Sequence, residues 1–490
     1  MTSGSGARER APGAAAIPEP SREPALAVEL DNPLPEQLRV GAGTAVFLKG
    51  RCASPAGTRV RQLDIVAGGA VHELMAHGIP IYAMGSPDAW WGIVPFERVP
   101  KPRAVPLTLR ARLDGGDEAR AERGTVRLEP GRADARERDW NPAVASDRPS
   151  IAICMATFEP PLDLFERQID SIRDQTHRSW FCVISDDCSR PERLAAMRRI
   201  LGGDPRFRLV PSRRRRGFYG NFERALGLVP EPVDYVGLAD QDDRWYPEKL
   251  EVLVAALASG ATLAYSDTRV VDRSGAVVSD TYWRYRRNNP NDLTSLLITN
   301  AITGAAALFR RELLEDVLPF PPPHGDIFHD HWIALVAMAT GEVRYVDRPL
   351  YEYVQHPRAA IGYVNANAGR GRWGGRLADL GMRIVRLGWR IVRPVGETRY
   401  FENYCRLALE ARVLELRCGR RMSPRARRGV QRILACDSSL PGAAWLALRS
   451  LRPLAGANET MGMERGLLAG IMWRRIAGWR ARARRARRQR

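Results

Sequence analysis

Lysine, paired cysteines and long apolar runs are scarce in this sequence, and the last two scarcities each argue against a class of protein. The only lysines are Lys49, Lys101 and Lys249, so the formal net charge of +19 is carried almost wholly by arginine. The seven cysteines include no Cys-x-x-Cys pair, which argues against a disulfide framework and a zinc site and fits a reducing cytoplasm. Residues 1–24 lack the apolar core of a signal peptide, and no run of about eighteen apolar residues occurs. The sequence therefore predicts no transmembrane helix.

The 490 residues, 44% of them hydrophobic, are enough for two or three globular domains. Short alternating segments broken by Gly and Pro predict a small β-sandwich, and from Ser150 onward strand and helix patterns alternate, which predicts a sheet wrapped by helices. The Trp90-Trp91 pair is either buried at a core or domain contact or a sugar-stacking platform. The predicted organisation is a disordered leader (1–28), an Ig-like β-sandwich (29–130), a linker (131–149), an α/β domain (150–365), a helical region (366–465) and a basic tail (466–490).

Three carboxylates, Asp240, Asp242 and Asp243, directly follow the apolar run 236–239 and precede a helix pattern that starts at Pro247. Negative charges this close repel one another unless a cation or solvent offsets them, and a hard divalent ion with oxygen ligands is the usual cation. The Asp-x-Asp spacing places Asp240 and Asp242 on one side of an extended segment. The alternative is an acidic turn in which Asp243 caps the following helix.

Other polar groups follow neighbouring strand patterns. Thr157 ends the first of these strands, and Asp186 and Asp187 end the second, at the strand ends where open α/β sheets bind ligands. The glycine- and arginine-rich stretch 213–226 is either a phosphate-binding helix start or a solvated basic loop. Asp330, directly before an apolar helix pattern, is either a helix cap or a functional carboxylate.

These motifs, taken together, carry a resemblance. Residues 150–363 resemble glycosyltransferase family 2, the inverting enzymes of GT-A fold with a Rossmann-like, mostly parallel sheet, and especially the rhamnosyltransferase-like branch. The matching pieces are Thr157, the Asp186-Asp187-Cys188-Ser189 turn, residues 217–226, residues 240–250, Thr303-Gly304, the block 329–332 and Gln355-His356. The resemblance covers under half of the chain. Phe158-Glu159 replaces the family's usual Tyr-Asn, and Cys188 replaces its usual Gly.

The resemblance implies a role for each matched residue. Asp330 would be the base that deprotonates an acceptor hydroxyl, so that the sugar is transferred in one step with inversion. Asp242 and Asp240 would hold Mg²⁺ or Mn²⁺ against the diphosphate of a UDP- or dTDP-sugar, and His356 is either a third ligand or a structural histidine. Thr157 and Asp187 would form the pocket for the nucleobase of the donor. The implied nucleotide-sugar contacts are Thr157, Asp187, Gly217, Asn221, Asp240, Gln241, Thr303 and Gly304.

The basic C-terminal part of the chain leaves several interpretations open. Residues 373–393 form a basic amphipathic helix pattern that would lie on an anionic membrane or pack on the catalytic domain. Residues 473–490 would bind lipid headgroups or nucleic acid. The expected protein is a glycosyltransferase acting on a lipid-linked or polysaccharide acceptor, cytoplasmic and peripheral on the inner face of the plasma membrane. The alternatives are a nucleic-acid-binding protein, prompted by charge alone, and a metal-dependent nucleotidyltransferase, which would need a glycine-rich, lysine-bearing loop that residues 155–161 do not supply.

Overall fold

The computed structural model describes residues 26–53, 58–81, 86–131, 148–356 and 396–488. The amphipathic helix expected over 373–393 lies outside these ranges, as do most of the leader expected over 1–28 and most of the linker expected over 131–149. None of the helices in the described ranges combines the length and apolarity needed to cross a bilayer.

The first nine strands form two sheets that pack face to face. Their orders are β1-β3-β7-β6 and β2-β9-β8-β4-β5, and side chains from both sheets share one apolar core. Both members of the Trp90-Trp91 pair are fully buried, so the pair belongs to the protein interior. The strands are β1 (Ala27–Leu30), β2 (Gln37–Arg39), β3 (Gly43–Ala53), β4 (Val60–Ala67), β5 (Ala70–Glu73), β6 (Ala76–Ile81), β7 (Ser86–Glu97), β8 (Arg103–Leu113) and β9 (Glu118–Glu129).

A nine-stranded mixed sheet follows in the chain. Its order is β12-β11-β10-β13-β17-β15-β18-β14, with β16 paired to β15. The first four strands of that order are parallel, whereas β17 runs antiparallel to both of its neighbours. The strands are β10 (Ile151–Thr157), β11 (Trp180–Asp186), β12 (Phe207–Pro211), β13 (Tyr235–Ala239), β14 (Arg244–Trp245), β15 (Leu263–Asp272), β16 (Val277–Ser279), β17 (Ala307–Arg310) and β18 (Val343–Gln355).

Helices cover this sheet and continue into a C-terminal helical region. A π-helix spans Arg399–Cys405, and 3-10 turns span Gly304–Ala306 and Arg452–Ala455. The α-helices are α1 (Leu162–Arg173), α2 (Pro191–Leu201), α3 (Gly217–Gly227), α4 (Lys249–Leu257), α5 (Leu293–Ile298), α6 (Leu314–Val317), α7 (His329–Thr340), α8 (Arg406–Cys418), α9 (Pro424–Ser438), α10 (Leu440–Arg449) and α11 (Met463–Arg488).

The C-terminal helices pack on the rest of the protein. The Arg417 guanidinium on α8 donates to the main-chain carbonyls of Gly43 at 2.6 Å and Asp316 at 2.8 Å, so one buried side chain joins three regions. Trp473 on α11 is 3% exposed and packs against Tyr400, which places it in the core and away from any lipid surface. The buried faces of the helices over 396–488 therefore pack on protein, and the two interpretations of residues 373–393 stay open because those residues lie outside the described ranges.

Candidate active site

The site lies at the carboxyl ends of β10 and β13. These strands are parallel neighbours. From β10 the chain first adds β11 and β12 on one side of the sheet and then β13 on the other side, so the strand order reverses at β10. Open α/β sheets bind ligands at such a switch of strand order, because the connecting loops diverge there and leave a crevice. Thr157 ends β10 and Asp240 directly follows β13, so both stand at this crevice.

The acidic turn after β13 carries poorly compensated negative charge. The pKa of Asp240 is raised to about 7, first by burial and then by the negative charges of Asp242 and Asp330. Asp243 is fully buried, its Oδ1 accepts a hydrogen bond from the Val354 N–H, and its Oδ2 has no hydrogen-bond partner among the described residues. Burial raises its pKa well above the ordinary range. Asp243 does not cap α4, since that helix begins at Lys249 after Glu248.

Lys249 supplies a counter-charge that sequence reasoning missed. Its side chain is 1% exposed, its Nζ donates to the carbonyl of Ala305, and it lies 3.5 Å from the centroid of the Trp245 ring. Burial lowers the pKa of Lys249, and the charges of Asp243 and Asp240 oppose that shift. The available signal was its rarity: it is one of three lysines, six residues beyond the acidic turn.

The acidic turn and its neighbours supply a partial set of ligands for a divalent ion. Among the described residues, no three His, Cys, Asp or Glu side chains are grouped closely enough to hold an ion by themselves. His356 Nε2 lies 2.8 Å from Asp242 Oδ2, and the His356 side chain is 3% exposed. The unpaired Asp243 oxygen and the raised pKa of Asp240 are features that a nearby cation would relieve. These donors suit an ion whose remaining ligands come from a substrate rich in oxygen.

Asp330 approaches the same crevice from the first turn of α7. The N–H of Gly304 donates to its Oδ2 at 3.2 Å, the N–H of His331 donates to its Oδ1 at 2.7 Å, and the side chain of Asn300 also hydrogen-bonds to it. Burial raises its pKa to about 6 against the opposing effect of these hydrogen bonds. Asp330 is not the N-cap, because Phe328 occupies that position. The arrangement leaves a carboxylate that is ionised at neutral pH but basic enough to accept a proton.

The neighbouring His329 is buried and packs against an aromatic ring. Its ring stacks on that of Phe222 with 3.7 Å between centroids, and burial lowers its pKa to about 3, so the imidazole is neutral. A Cβ on Gly304 would lie 3.0 Å from His329 Nε2 and 3.3 Å from Asp330 Cβ. Glycine at 304 therefore permits the close approach that brings its N–H to Asp330.

Asp187 is engaged by the loop before α3. Its Oδ1 accepts from the N–H of Arg216 at 2.7 Å, and its Oδ2 accepts from the N–H of Gly217 at 3.0 Å and from Arg215 Nε at 3.1 Å. Asp187 is 2% exposed. Gly217 has a φ of +72°, and no atom lies within 4 Å of the position that a Cβ would take there. The basic stretch is therefore a helix start pinned by Asp187.

Two further expected contact residues brace the strand ends. Asn221 is 2% exposed, and its Nδ2 donates to the carbonyls of Thr157 at 3.2 Å and Ser185 at 2.8 Å. The Thr157 hydroxyl donates to Asp186 Oδ2 at 3.0 Å. These hydrogen bonds fix the ends of β10 and β11 relative to α3 at the crevice.

The remaining expected contacts lie nearer to solvent. Gln241 Oε1 accepts from the N–H of Phe158 at 2.9 Å, and the Thr303 hydroxyl lies 3.0 Å from the Tyr351 hydroxyl. The guanidinium of Arg215 lies 3.3 Å from the centroid of the Phe158 ring, which is 38% exposed. Sequence reasoning missed this Phe158–Arg215 pair, because the two residues are brought together only by the Asp187 contact.

Comparison with known proteins matches part of this chain to one family of enzymes. Residues 152–318 match the model of Glycosyl transferase family 2, a span that contains the acidic turn and Gly304 and ends before Asp330 and His356. The α/β architecture is the expected GT-A-like fold, preceded by a β-sandwich and followed by helices, which confirms the predicted fold class.

Individual relatives are distant. The uncharacterized protein y4gI of Sinorhizobium fredii is 28% identical over 132 residues, which are 26% of this chain and 14% of that protein, so the chain spans about a seventh of this curated relative. Crystalline S. aureus TarS 1-349 with UDP-GlcNAc has a TM-score of 0.38 at 12% identity, covering 66% of this chain and 92% of that one. The mannosyltransferase PcManGT of Pyrobaculum calidifontis, solved with GDP-Man and Mn²⁺, has a TM-score of 0.35 at 20% identity, covering 69% and 91%.

Proposed function

We propose that this protein is an inverting, metal-dependent glycosyltransferase that moves a sugar from a UDP- or dTDP-sugar to a hydroxyl of a lipid-linked or cell-surface glycan. The observation that carries the proposal is the meeting of two groups at one crevice: the acidic turn 240–243 after β13 and Asp330 from α7, whose charge contributes to the raised pKa of Asp240. A hexosyl or rhamnosyl donor is the finer expectation, together with a role in cell wall or polysaccharide synthesis at the inner face of the plasma membrane.

Asp330 is the proposed base. It takes the proton of the acceptor hydroxyl as that oxygen attacks the anomeric carbon on the face opposite the diphosphate, and the bond from that carbon to the diphosphate oxygen breaks in the same step. The products are an inverted glycoside, a nucleoside diphosphate and protonated Asp330. Its pKa of about 6 supports this role, since a base poised near neutral pH is both ionised and able to accept a proton.

Asp240 and Asp242 are the proposed protein ligands of Mg²⁺ or Mn²⁺. When bound, the ion neutralises negative charge on the departing diphosphate. His356 either joins them as a ligand or orients Asp242 through their 2.8 Å hydrogen bond. Lys249 lowers the pKa of Asp240, which favours the ionised carboxylate that a metal requires.

The donor nucleotide is proposed to lie along the strand ends beside Thr157 and Gln241, with Thr303 and Gly304 on the opposite side. Asp187 is proposed to shape this pocket, because its two oxygens hold Arg215 and Gly217 in place. The exposed Phe158 ring, backed by Arg215, offers a flat surface against which a base can stack.

The test is release of nucleoside diphosphate by the purified full-length protein from a panel of nucleotide-sugars, with and without Mn²⁺ and acceptor glycan. We expect Asp330→Asn to transfer sugar at least about a hundredfold more slowly while donor affinity is kept. Asp280→Asn is the matched control, since that carboxylate is 78% exposed and lies outside the site. Wild-type transfer by Asp330→Asn, with an inverted product, would refute the assignment of the base. Activity on nucleoside triphosphates without sugar transfer would indicate a nucleotidyltransferase instead.

A further inference from the structure

The C-terminal helical region contains a basic cavity next to the start of α5. The cavity has a volume of about 730 Å³ and lies between α9, α10 and the start of α5. Asp292 is the only carboxylate in its lining, as far as the described residues show. The five arginines that line it are Arg425, Arg428, Arg432, Arg449 and Arg452.

These arginines differ in how their charge is compensated. Arg449 pairs with Asp292 and with Glu464, each at 3.3 Å, and Arg452 pairs with Glu459. The three arginines of α9 that line the cavity, Arg425, Arg428 and Arg432, form no ion pair with any described residue, and all three are exposed. Their spacing of three and four residues puts them on one face of the helix. The uncompensated positive charge of the cavity is therefore the charge of Arg425, Arg428 and Arg432.

Exposed leucines stand directly beside the cavity. Leu448, Leu451 and Leu454 are 70%, 53% and 80% exposed, and they alternate along the chain with the cavity residues Arg449 and Arg452. Isolated apolar side chains on a surface are ordinary, but three large ones within seven residues, next to uncompensated cations, form an amphipathic rim. Interfacial surfaces have this composition, with apolar groups among the acyl chains and arginines at the headgroups.

We propose that this face, the arginine cavity with its leucine rim, docks on an anionic phospholipid membrane. Headgroup phosphates enter the cavity opposite Arg425, Arg428 and Arg432, and the three leucines insert between lipids. The exposed leucines favour a lipid surface over nucleic acid, because phosphate contacts alone would explain the arginines but not the apolar groups, and single strands also stack their bases on free aromatic faces. The aromatic ring of the cavity, Trp445, already contacts the guanidinium groups of Arg432 and Arg449, which lie 5.8 and 5.7 Å from its centroid.

The docking face is connected to the active site by one short helix. Asp292 and Thr294 at the start of α5 line the cavity, and Asn300, two residues after the end of α5, hydrogen-bonds to Asp330. A lipid-borne acceptor would therefore arrive close to the base. This last step rests on the proposed function, whereas membrane docking itself does not.

The experiment is co-sedimentation of the full-length protein with vesicles of phosphatidylcholine, alone or mixed with phosphatidylglycerol. We expect binding to the mixed vesicles only, weakening as salt rises because surface attraction is screened. Arg425→Ala/Arg428→Ala/Arg432→Ala should weaken it about a hundredfold. The matched control, Arg103→Ala/Arg198→Ala/Arg199→Ala, removes the same charge from exposed positions elsewhere and should bind like the wild type.

A second variant separates insertion from charge. Leu448→Ser/Leu451→Ser/Leu454→Ser should still bind at low salt but should release at a lower salt concentration than the wild type. Equal loss in both arginine variants would mean general electrostatic attraction and would overturn the proposed face. Displacement from vesicles by stoichiometric single-stranded RNA, or self-association of the free protein that the leucine variant abolishes, would also overturn it. Donor turnover with a soluble acceptor, which none of these variants should change, keeps this result separate from the test of the transferase.

Discussion

The main-chain N–H of Gly304 donates a hydrogen bond to Asp330 Oδ2 at 3.2 Å, joining the 3-10 turn after α5 to the first turn of α7. The contact is close-packed around glycine, because a Cβ at 304 would lie 3.0 Å from His329 Nε2 and 3.2 Å from Leu238 Cδ1. This hydrogen bond therefore connects the two parts of the chain that carry Gly304 and the proposed base Asp330.

Replacing Gly304 by alanine tests this contact. The added methyl group would lie 3.3 Å from Asp330 Cβ, so its neighbours must yield by a few tenths of an ångström, and we expect this to displace the proposed base. We expect kcat to fall at least about tenfold, since small misplacements of catalytic groups are costly, while KM for the donor changes little. Steady-state kinetics with varied donor would check this. Gly466→Ala, on α11, is the control for a general effect of removing glycine, because an added Cβ there would meet nothing nearer than Arg399 Cδ at 3.9 Å.

The activity should depend on pH through Asp330. Its pKa of about 6 lies above the ordinary value of 3.8, so protonation near pH 6 removes the base and the transfer rate should decline below that pH. A raised pKa in the folded state stabilises the protein at low pH, and this contribution is lost as the pH rises through about 6. Asp330→Asn should therefore melt at or above the wild-type temperature at pH 7, with the difference shrinking toward pH 4. A variant that melts well below wild type at pH 7 would mean that the carboxylate is structural.

The transfer rate should depend on a divalent metal ion bound at Asp242, whose hydrogen-bond partner is His356. Excess chelator should abolish transfer, and Asp242→Asn should reduce the rate by orders of magnitude with an unchanged fold, because it removes charge from a ligand without removing volume. His356→Gln distinguishes the two roles left open for that residue. A ligand role predicts weaker Mn²⁺ binding by calorimetry, and an orienting role predicts a smaller loss. Full activity in chelator would rule out the metal assignment.

Lys249 should stabilise the acidic turn. Lys249→Met leaves Asp243 and Asp240 without their nearby cation, and removal of one partner from a buried charge pair costs about 3 kcal/mol of unfolding free energy. Asp243→Asn in the same chain should recover part of this loss, since it removes the charge that was left unpaired. Urea denaturation of both single variants and the double variant measures the coupling. Strictly additive effects would show that the two side chains do not interact.

The order of strands and helices, and the carboxylates at their ends, could be predicted from the sequence. Apolar runs such as 151–156 and 236–239 are too short for a typical helix and so favour buried strands, and parallel strands bring Thr157 and Asp240 to one edge of the sheet. The fold class was confirmed for this reason. The expected roles of the site residues stay predictions, and the rhamnosyltransferase-like branch stays a proposal.

Tertiary structure alone decided which partners those residues meet. Lys249 beneath the acidic turn, Arg215 against Phe158, His356 on Asp242 and Gly304 at Asp330 join side chains or backbone from different loops. The burial of Trp473 and the exposure of Leu448 were equally undetermined, because hydrophobic pattern does not reveal which apolar face finds a partner. Local propensity and periodicity act within one element, whereas these contacts depend on how distant segments pack, which no single segment encodes.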